Sequence, residues 1–284
     1  MGFFTILFLA CVQGLAELLP VSSSAHVILA EKMLGLDPTT PTMTLLLVLL
    51  HTGTMFAVLV YFWKNWRDHY FQSRERATAF LKQVLLATAT TLVLGFILMK
   101  LIEKVMLRSI PGAEVEMLFG NLKLVSASLA SVGILILAAS QKAAPTGEGE
   151  KLGARESIWI GLVQGLCLPF RGLSRSGATI STGLMLGLNQ RKAEEYSFAL
   201  AVAITPFVLG KELWRLYRFH LFSGSDHGSM AHLLLPGLMG MVFSFLAGLL
   251  ALRWLSNWLE KGKWGYFGVY CLGLAALIWL GANR

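Results

Sequence analysis

A short stretch near the start of the chain carries an amide, a carboxylate, three hydroxyls and an imidazole: Gln13, Glu17, Ser22, Ser23, Ser24 and His26. Gln13 and Glu17 are spaced i, i+4, so on a helix they share one face. A carboxylate inside an apolar segment is costly and marks a functional site by default. Serines directly after Pro20 suit a helix N-cap, and capping accounts for one of them. It does not explain why Glu17 and His26 flank the same turn. A carboxylate, a hydroxyl and an imidazole close together activate a nucleophile or relay a proton.

A second cluster reads Gly172-Leu173-Ser174-Arg175-Ser176-Gly177-Ala178-Thr179. Small residues let backbone approach a ligand, and hydroxyls with N–H groups at a helix start form an anion site. Arg175 adds a planar donor fork suited to phosphate. An arginine at a helix N-terminus opposes the helix dipole, and a bound anion resolves that conflict. One cluster therefore offers acid/base and nucleophilic groups, the other an anion cradle. Together they point to phosphoryl chemistry on a membrane-embedded substrate.

The elements that position these clusters follow from composition. The chain has 284 residues, 55% hydrophobic and only 14% charged. About 25% charged is usual for a soluble domain. Six segments are long and apolar enough to span a bilayer: about 42–63, 79–101, 119–140, 196–217, 231–252 and 264–282. Residues 3–19 and 157–168 are apolar but broken or short, and each leads to a second short helix, about 24–34 and 177–189. Broken helices survive at membrane depth only where protein or a watery cavity satisfies their backbone. They read as two re-entrant helical hairpins. The N-terminal segment has no basic n-region and holds Gln13 and Glu17, so it is expected to belong to the mature fold.

The hairpin regions resemble each other. Val12-Gln13-Gly14-Leu15 precedes Met33-Leu34-Gly35-Leu36, and Val163-Gln164-Gly165-Leu166 precedes Met185-Leu186-Gly187-Leu188 at nearly equal spacing. Lys64, Arg67, Arg74, Arg76, Lys82, Lys142, Lys151, Arg155, Arg253, Lys261 and Lys263 fall on one side of the six-span arrangement. The positive-inside rule makes that side cytoplasmic. The fold class expected is an all-α polytopic membrane protein, with six transmembrane helices and two re-entrant hairpins in an inverted repeat. It is a single membrane domain over 1–284, with repeats at about 1–140 and 155–284. Both termini would face the periplasm. The first hairpin would enter from there, the second from the cytoplasm. The net charge of +8 sits in short loops, which argues against nucleic acid as a partner. The three cysteines, Cys11, Cys167 and Cys271, lie in apolar segments and form no CxxC, so no disulfide framework is expected.

The run Gln13 to His26 resembles the first signature of the bacterial undecaprenyl-diphosphate phosphatases, also called bacitracin-resistance proteins. Gly172 to Thr179 resembles their second signature, and His51-Thr52-Gly53-Thr54 also fits. The resemblance runs over essentially the whole chain. It implies an integral enzyme of the bacterial inner membrane that converts undecaprenyl pyrophosphate to the monophosphate and so recycles the cell-wall lipid carrier. It implies a divalent cation, Mg²⁺ or Ca²⁺, with Gln13 and Glu17 as its ligands, and a site reached from the periplasm. The catalytic set it implies is Glu17, Ser23, His26 and Arg175. The phosphate-binding set is Ser22, Ser174, Arg175, Ser176 and Thr179. Ser23 and His26 both remain open as nucleophile. Two departures stand out. Phe170 and Arg171 separate Pro169 from Gly172, where the family usually has an adjacent Pro-Gly pair, and a proline common in the second span is replaced near Thr90. The inverted repeat also suits a polyprenyl-phosphate flippase without hydrolysis, or a bifunctional protein. The oligomeric state is open, with a homodimer among the options.

Overall fold

The computed structural model describes residues 2–36, 41–105, 118, 121–142, 152–223 and 230–282. Among them are ten helices: α1 (Phe3–Leu18), α2 (Ser23–Met33), α3 (Pro41–Tyr70), α4 (Arg74–Val105), α5 (Leu122–Ser140), α6 (Ala154–Cys167), α7 (Arg175–Met185), α8 (Gln190–Ser223), α9 (Met230–Glu260) and α10 (Trp264–Gly281). No strand occurs among the described residues. Lys151, counted above in the charge asymmetry, lies outside them.

Five helices contain stretches long and apolar enough to cross a membrane: Leu45–Tyr70, Arg74–Val105, Leu122–Ser140, Leu235–Glu260 and Trp264–Gly281. They cover five of the six expected spans. The sixth, 196–217, lies within the 34-residue α8, which carries an internal Pro206 and is not one of the five. Large apolar side chains such as Val93, Phe96, Leu277 and Leu280 stand outward and exposed, while Gln13, Glu17, Thr91, Ser126 and Gln164 are buried. An apolar exterior of this extent is not tolerated in water and matches a lipid solvent. The chain is a polytopic, multi-pass membrane protein.

The helices α1, α2, α6 and α7 have 16, 11, 14 and 11 residues. Each falls short of the roughly 20 residues that a bilayer crossing needs. α1 packs on α2 and on the long α9; α6 packs on α7 and on the long α4. The two Gln-Gly pairs explain these matching contacts. A Cβ on Gly14 would lie 2.6 Å from the Ala247 Cβ and 2.7 Å from the Ser244 carbonyl of α9. A Cβ on Gly165 would lie 3.1 Å from both Leu94 Cβ and the Thr91 carbonyl of α4. Small residues at these crossings let the backbones approach.

The two Met-Leu-Gly-Leu segments end α2 and α7 in the same way. Gly35 and Gly187 take φ of 66° and 88°. The Leu36 N–H donates to the Glu31 carbonyl at 2.9 Å, and the Leu188 N–H to the Gly183 carbonyl at 3.0 Å. This is the αL cap that glycine permits at a helix C-terminus. α5 pairs with α10, and α3 with both α8 and α9. The end of α3 is pinned to the start of α8: Trp66 Nε1 donates to the Glu195 carbonyl at 3.2 Å, and His69 Nδ1 lies 3.2 Å from the Glu195 carboxylate.

Candidate active site

Glu17 stands one residue from the end of α1 and is 9% exposed. A buried carboxylate survives only when donors replace its lost water. Glu17 has four. Its Oε2 accepts from the Ser23 hydroxyl at 2.5 Å and from the Gln13 amide at 3.3 Å, and lies 3.4 Å from His51 Nε2. Its Oε1 accepts from Arg175 Nη2 at 2.8 Å. The helical spacing of Gln13 and Glu17 thus puts both on one face, as expected. Ser23 is reached because the chain turns at Pro20 and starts α2 immediately.

Arg175 is the first residue of α7, behind the N-cap Ser174, whose hydroxyl accepts from the Gly177 N–H at 3.2 Å. A cation there opposes the helix dipole. Glu17 supplies the compensating anion in this structure. Two further bonds join the hairpin turns. Ser176 donates to the Leu19 carbonyl at 3.3 Å, and the Gly172 N–H donates to Ser24 Oγ at 3.2 Å. Residues about 150 positions apart in sequence therefore form one polar site, with a separation of 158 for Glu17 and Arg175.

Not every expected residue faces this centre. Thr179 turns toward α8, bonding the Ser197 hydroxyl at 2.6 Å and the Arg175 carbonyl at 2.8 Å. Ser22 Oγ pairs with Ser24 Oγ at 3.2 Å. The His26 ring is engaged one turn along α2, with Nδ1 2.8 Å from the Ser22 carbonyl and Nε2 2.7 Å from the Tyr270 hydroxyl. Ser22 itself takes a φ of 65°, a strained value for a residue with a side chain.

The imidazole beside Glu17 is that of His51, not His26. His51 Nδ1 lies 3.0 Å from the Gln13 amide and 3.1 Å from the Leu47 carbonyl. His51 was visible in the sequence only as part of a motif, yet an ionisable group inside an apolar span is itself a signal. Tyr270 had no such signal. Chemically, the centre offers a hydroxyl bonded to a carboxylate base, and an arginine fork at a helix N-terminus. That is the equipment for attack on a phosphorus bearing anionic oxygens.

Comparison with known proteins agrees with this chemistry. A family described as Bacitracin resistance protein BacA matches residues 6–277. Undecaprenyl-diphosphatase 2 of Acinetobacter baylyi is 55% identical over 274 residues, covering 96% of this chain and 95% of that protein. An undecaprenyl-diphosphatase of Christiangramia forsetii is 33% identical, covering 98% of each chain. One from Parabacteroides distasonis is 31% identical, over 98% of this chain and 97% of that one. With nearly every residue covered and both polar clusters inside the match, the chain belongs to the bacitracin resistance protein BacA family.

Proposed function

We propose that the chain is an undecaprenyl-diphosphatase that hydrolyses undecaprenyl pyrophosphate to undecaprenyl phosphate and inorganic phosphate. The observation that carries this reading is the Ser23–Glu17–Arg175 chain of hydrogen bonds, which joins the two hairpin turns. The relatives' names agree with it. Arg175 exchanges Glu17 for the phosphate oxygens of the substrate and stabilises the charge that develops on them. Glu17 keeps Ser23 on Oε2. Ser23 attacks the terminal phosphorus or orients the water that does, Glu17 takes the attacking group's proton, and the bond from that phosphorus to the bridging oxygen breaks so that undecaprenyl phosphate leaves. On the first route water then cleaves the phosphoserine to release inorganic phosphate. The geometry favours Ser23 over His26 in this role, because Ser23 alone of the two bonds Glu17.

The donor set fits a divalent cation held jointly with substrate. Among the described residues no group of three or more His, Cys, Asp or Glu side chains forms a self-sufficient metal site. Glu17 Oε1, once released by Arg175, and Gln13 would hold Mg²⁺ or Ca²⁺, with phosphate oxygens completing the shell. When bound, such an ion neutralises charge on the pyrophosphate. Ser174 and Ser176, at the start of α7, would border the phosphate, while Ser22, paired with Ser24, would shape the turn behind it. Thr179 acts from behind by fixing α7 on α8.

The short pairs α1–α2 and α6–α7 are read as re-entrant hairpins, and α8 as the sixth span. Exposed Lys64, Arg67, Arg74, Arg76 and Lys82 mark the α3–α4 end as cytoplasmic. On that reading the site opens to the periplasm and the protein resides in the inner membrane. The matching packing of α1 on α9 and α6 on α4 also favours a second reading, a lipid-phosphate flippase. Phosphate release from undecaprenyl pyrophosphate in detergent decides between them. Hydrolysis that a chelator abolishes and Mg²⁺ or Ca²⁺ restores is the expected result. Lipid binding without phosphate release would overturn the phosphatase reading.

A further inference from the structure

We infer that Tyr270 is a positioning residue for His26, holding its imidazole in a single tautomer with Nε2 as the basic nitrogen. The inference rests on the phosphatase reading, in which Ser23 and Glu17 serve the attack and His26 handles a proton of the departing phosphate, and it deepens the account of that site. His26 has two ring nitrogens, and both are occupied. Nδ1 lies 2.8 Å from the Ser22 carbonyl oxygen. A carbonyl only accepts, so Nδ1 carries the hydrogen. The same oxygen accepts the His26 backbone N–H at 3.4 Å. The neutral imidazole then has its lone pair on Nε2. The Tyr270 hydroxyl stands 2.7 Å from that atom and donates to it.

The phenol does more than touch. The two rings are nearly parallel, with centroids 5.8 Å apart and planes 7° apart. Tyr270 is 47% exposed on α10. Its hydroxyl reaches the half-buried His26 ring, 244 residues away in sequence, rather than standing free at the surface. The next residue holds the first hairpin too, since Cys271 Sγ donates to the Pro20 carbonyl at 3.4 Å. α10 thus grips the first hairpin at both ends of its Pro20–His26 segment. A phenol O–H rotates freely, so it donates to neutral Nε2 and accepts from protonated Nε2–H. The contact survives both protonation states, and His26 gains or loses a proton without turning its ring.

The test is Tyr270→Phe, which keeps the ring and removes only the hydroxyl. Protein labelled with ¹⁵N-histidine in detergent reports the tautomer of each of the six histidines. The His26 signals are those lost in His26→Gln. In wild type the hydrogen is expected on Nδ1. In Tyr270→Phe the Nε2 resonance shifts, kcat for phosphate release falls about tenfold, as loss of one well-placed hydrogen bond allows, and KM stays within about twofold. Tyr266→Phe, one turn away and 64% exposed, leaves both readouts unchanged. Hydrogen on Nε2 in wild type, or Tyr270→Phe with wild-type kcat, overturns the inference. Wild-type protein that releases no phosphate overturns the phosphatase reading instead, and the nitrogen spectra still decide the Tyr270–His26 contact.

Discussion

The ion pair between Glu17 and Arg175 joins the two polar clusters and is the reactive centre we propose, and these two roles separate experimentally. Removing one member of a buried pair leaves the other charge uncompensated, at a cost of about 3–5 kcal/mol. Glu17→Gln and Arg175→Gln should each lower the melting temperature in detergent. The double variant should melt above either single one, because two neutral amides replace two charges. Activity should stay lost in all three. A double variant as active as wild type would show the pair to be a staple only. Glu17 was legible in the sequence because a charge inside an apolar segment is too costly to keep without use, and Arg175 because a cation at a helix start opposes the dipole and calls for an anion. The partners of the histidines were not. His51 reaches Gln13 across 38 residues and Tyr270 reaches His26 across 244, and nothing local in the sequence encodes either meeting.

At the scale of elements, the site depends on where α1 and α2 are held. Gly14 sits one turn before Glu17, against Ser244 and Ala247 of α9. Gly14→Ala should push α1 from α9, costing about 1–3 kcal/mol by overpacking and lowering phosphate release as Glu17 moves. Gly35→Ala is the contrasting case. Nothing lies within 4 Å of its would-be Cβ, but its φ is 66°. It should cost about 1–2 kcal/mol through backbone strain alone, with kcat preserved. Thermal melting and steady-state assays of the two variants check both expectations. The broken helices were legible because Pro20 and the serines interrupt an apolar run, and because Gly172 and its neighbours interrupt another. The direction of Thr179 was not. A threonine beside Arg175 reads as a phosphate ligand until α8 brings Ser197 to its hydroxyl.

The whole molecule is a membrane protein by composition, and its halves pack alike: α1 on α9, and α6 on α4. Length and hydropathy made five spans legible. Those properties leave α8 ambiguous, because 34 residues that include Pro206 and a charged N-terminal turn fit more than one placement in a bilayer. Orientation is open to direct measurement. Ser73 lies in the exposed link between α3 and α4. In Ser73→Cys, a membrane-impermeant thiol reagent should label position 73 in inside-out vesicles and not in intact spheroplasts; the reverse pattern would invert the proposed topology. The central claim, that both hairpins build one phosphatase site, meets its most direct test in single-turnover phosphate release from undecaprenyl pyrophosphate by folded Ser23→Ala and Arg175→Lys proteins. Each changes one hairpin. Both should fall at least about 100-fold below wild type, the scale of losing an activated nucleophile or a preorganised fork. Wild-type release by either variant would contradict a site shared between the hairpins.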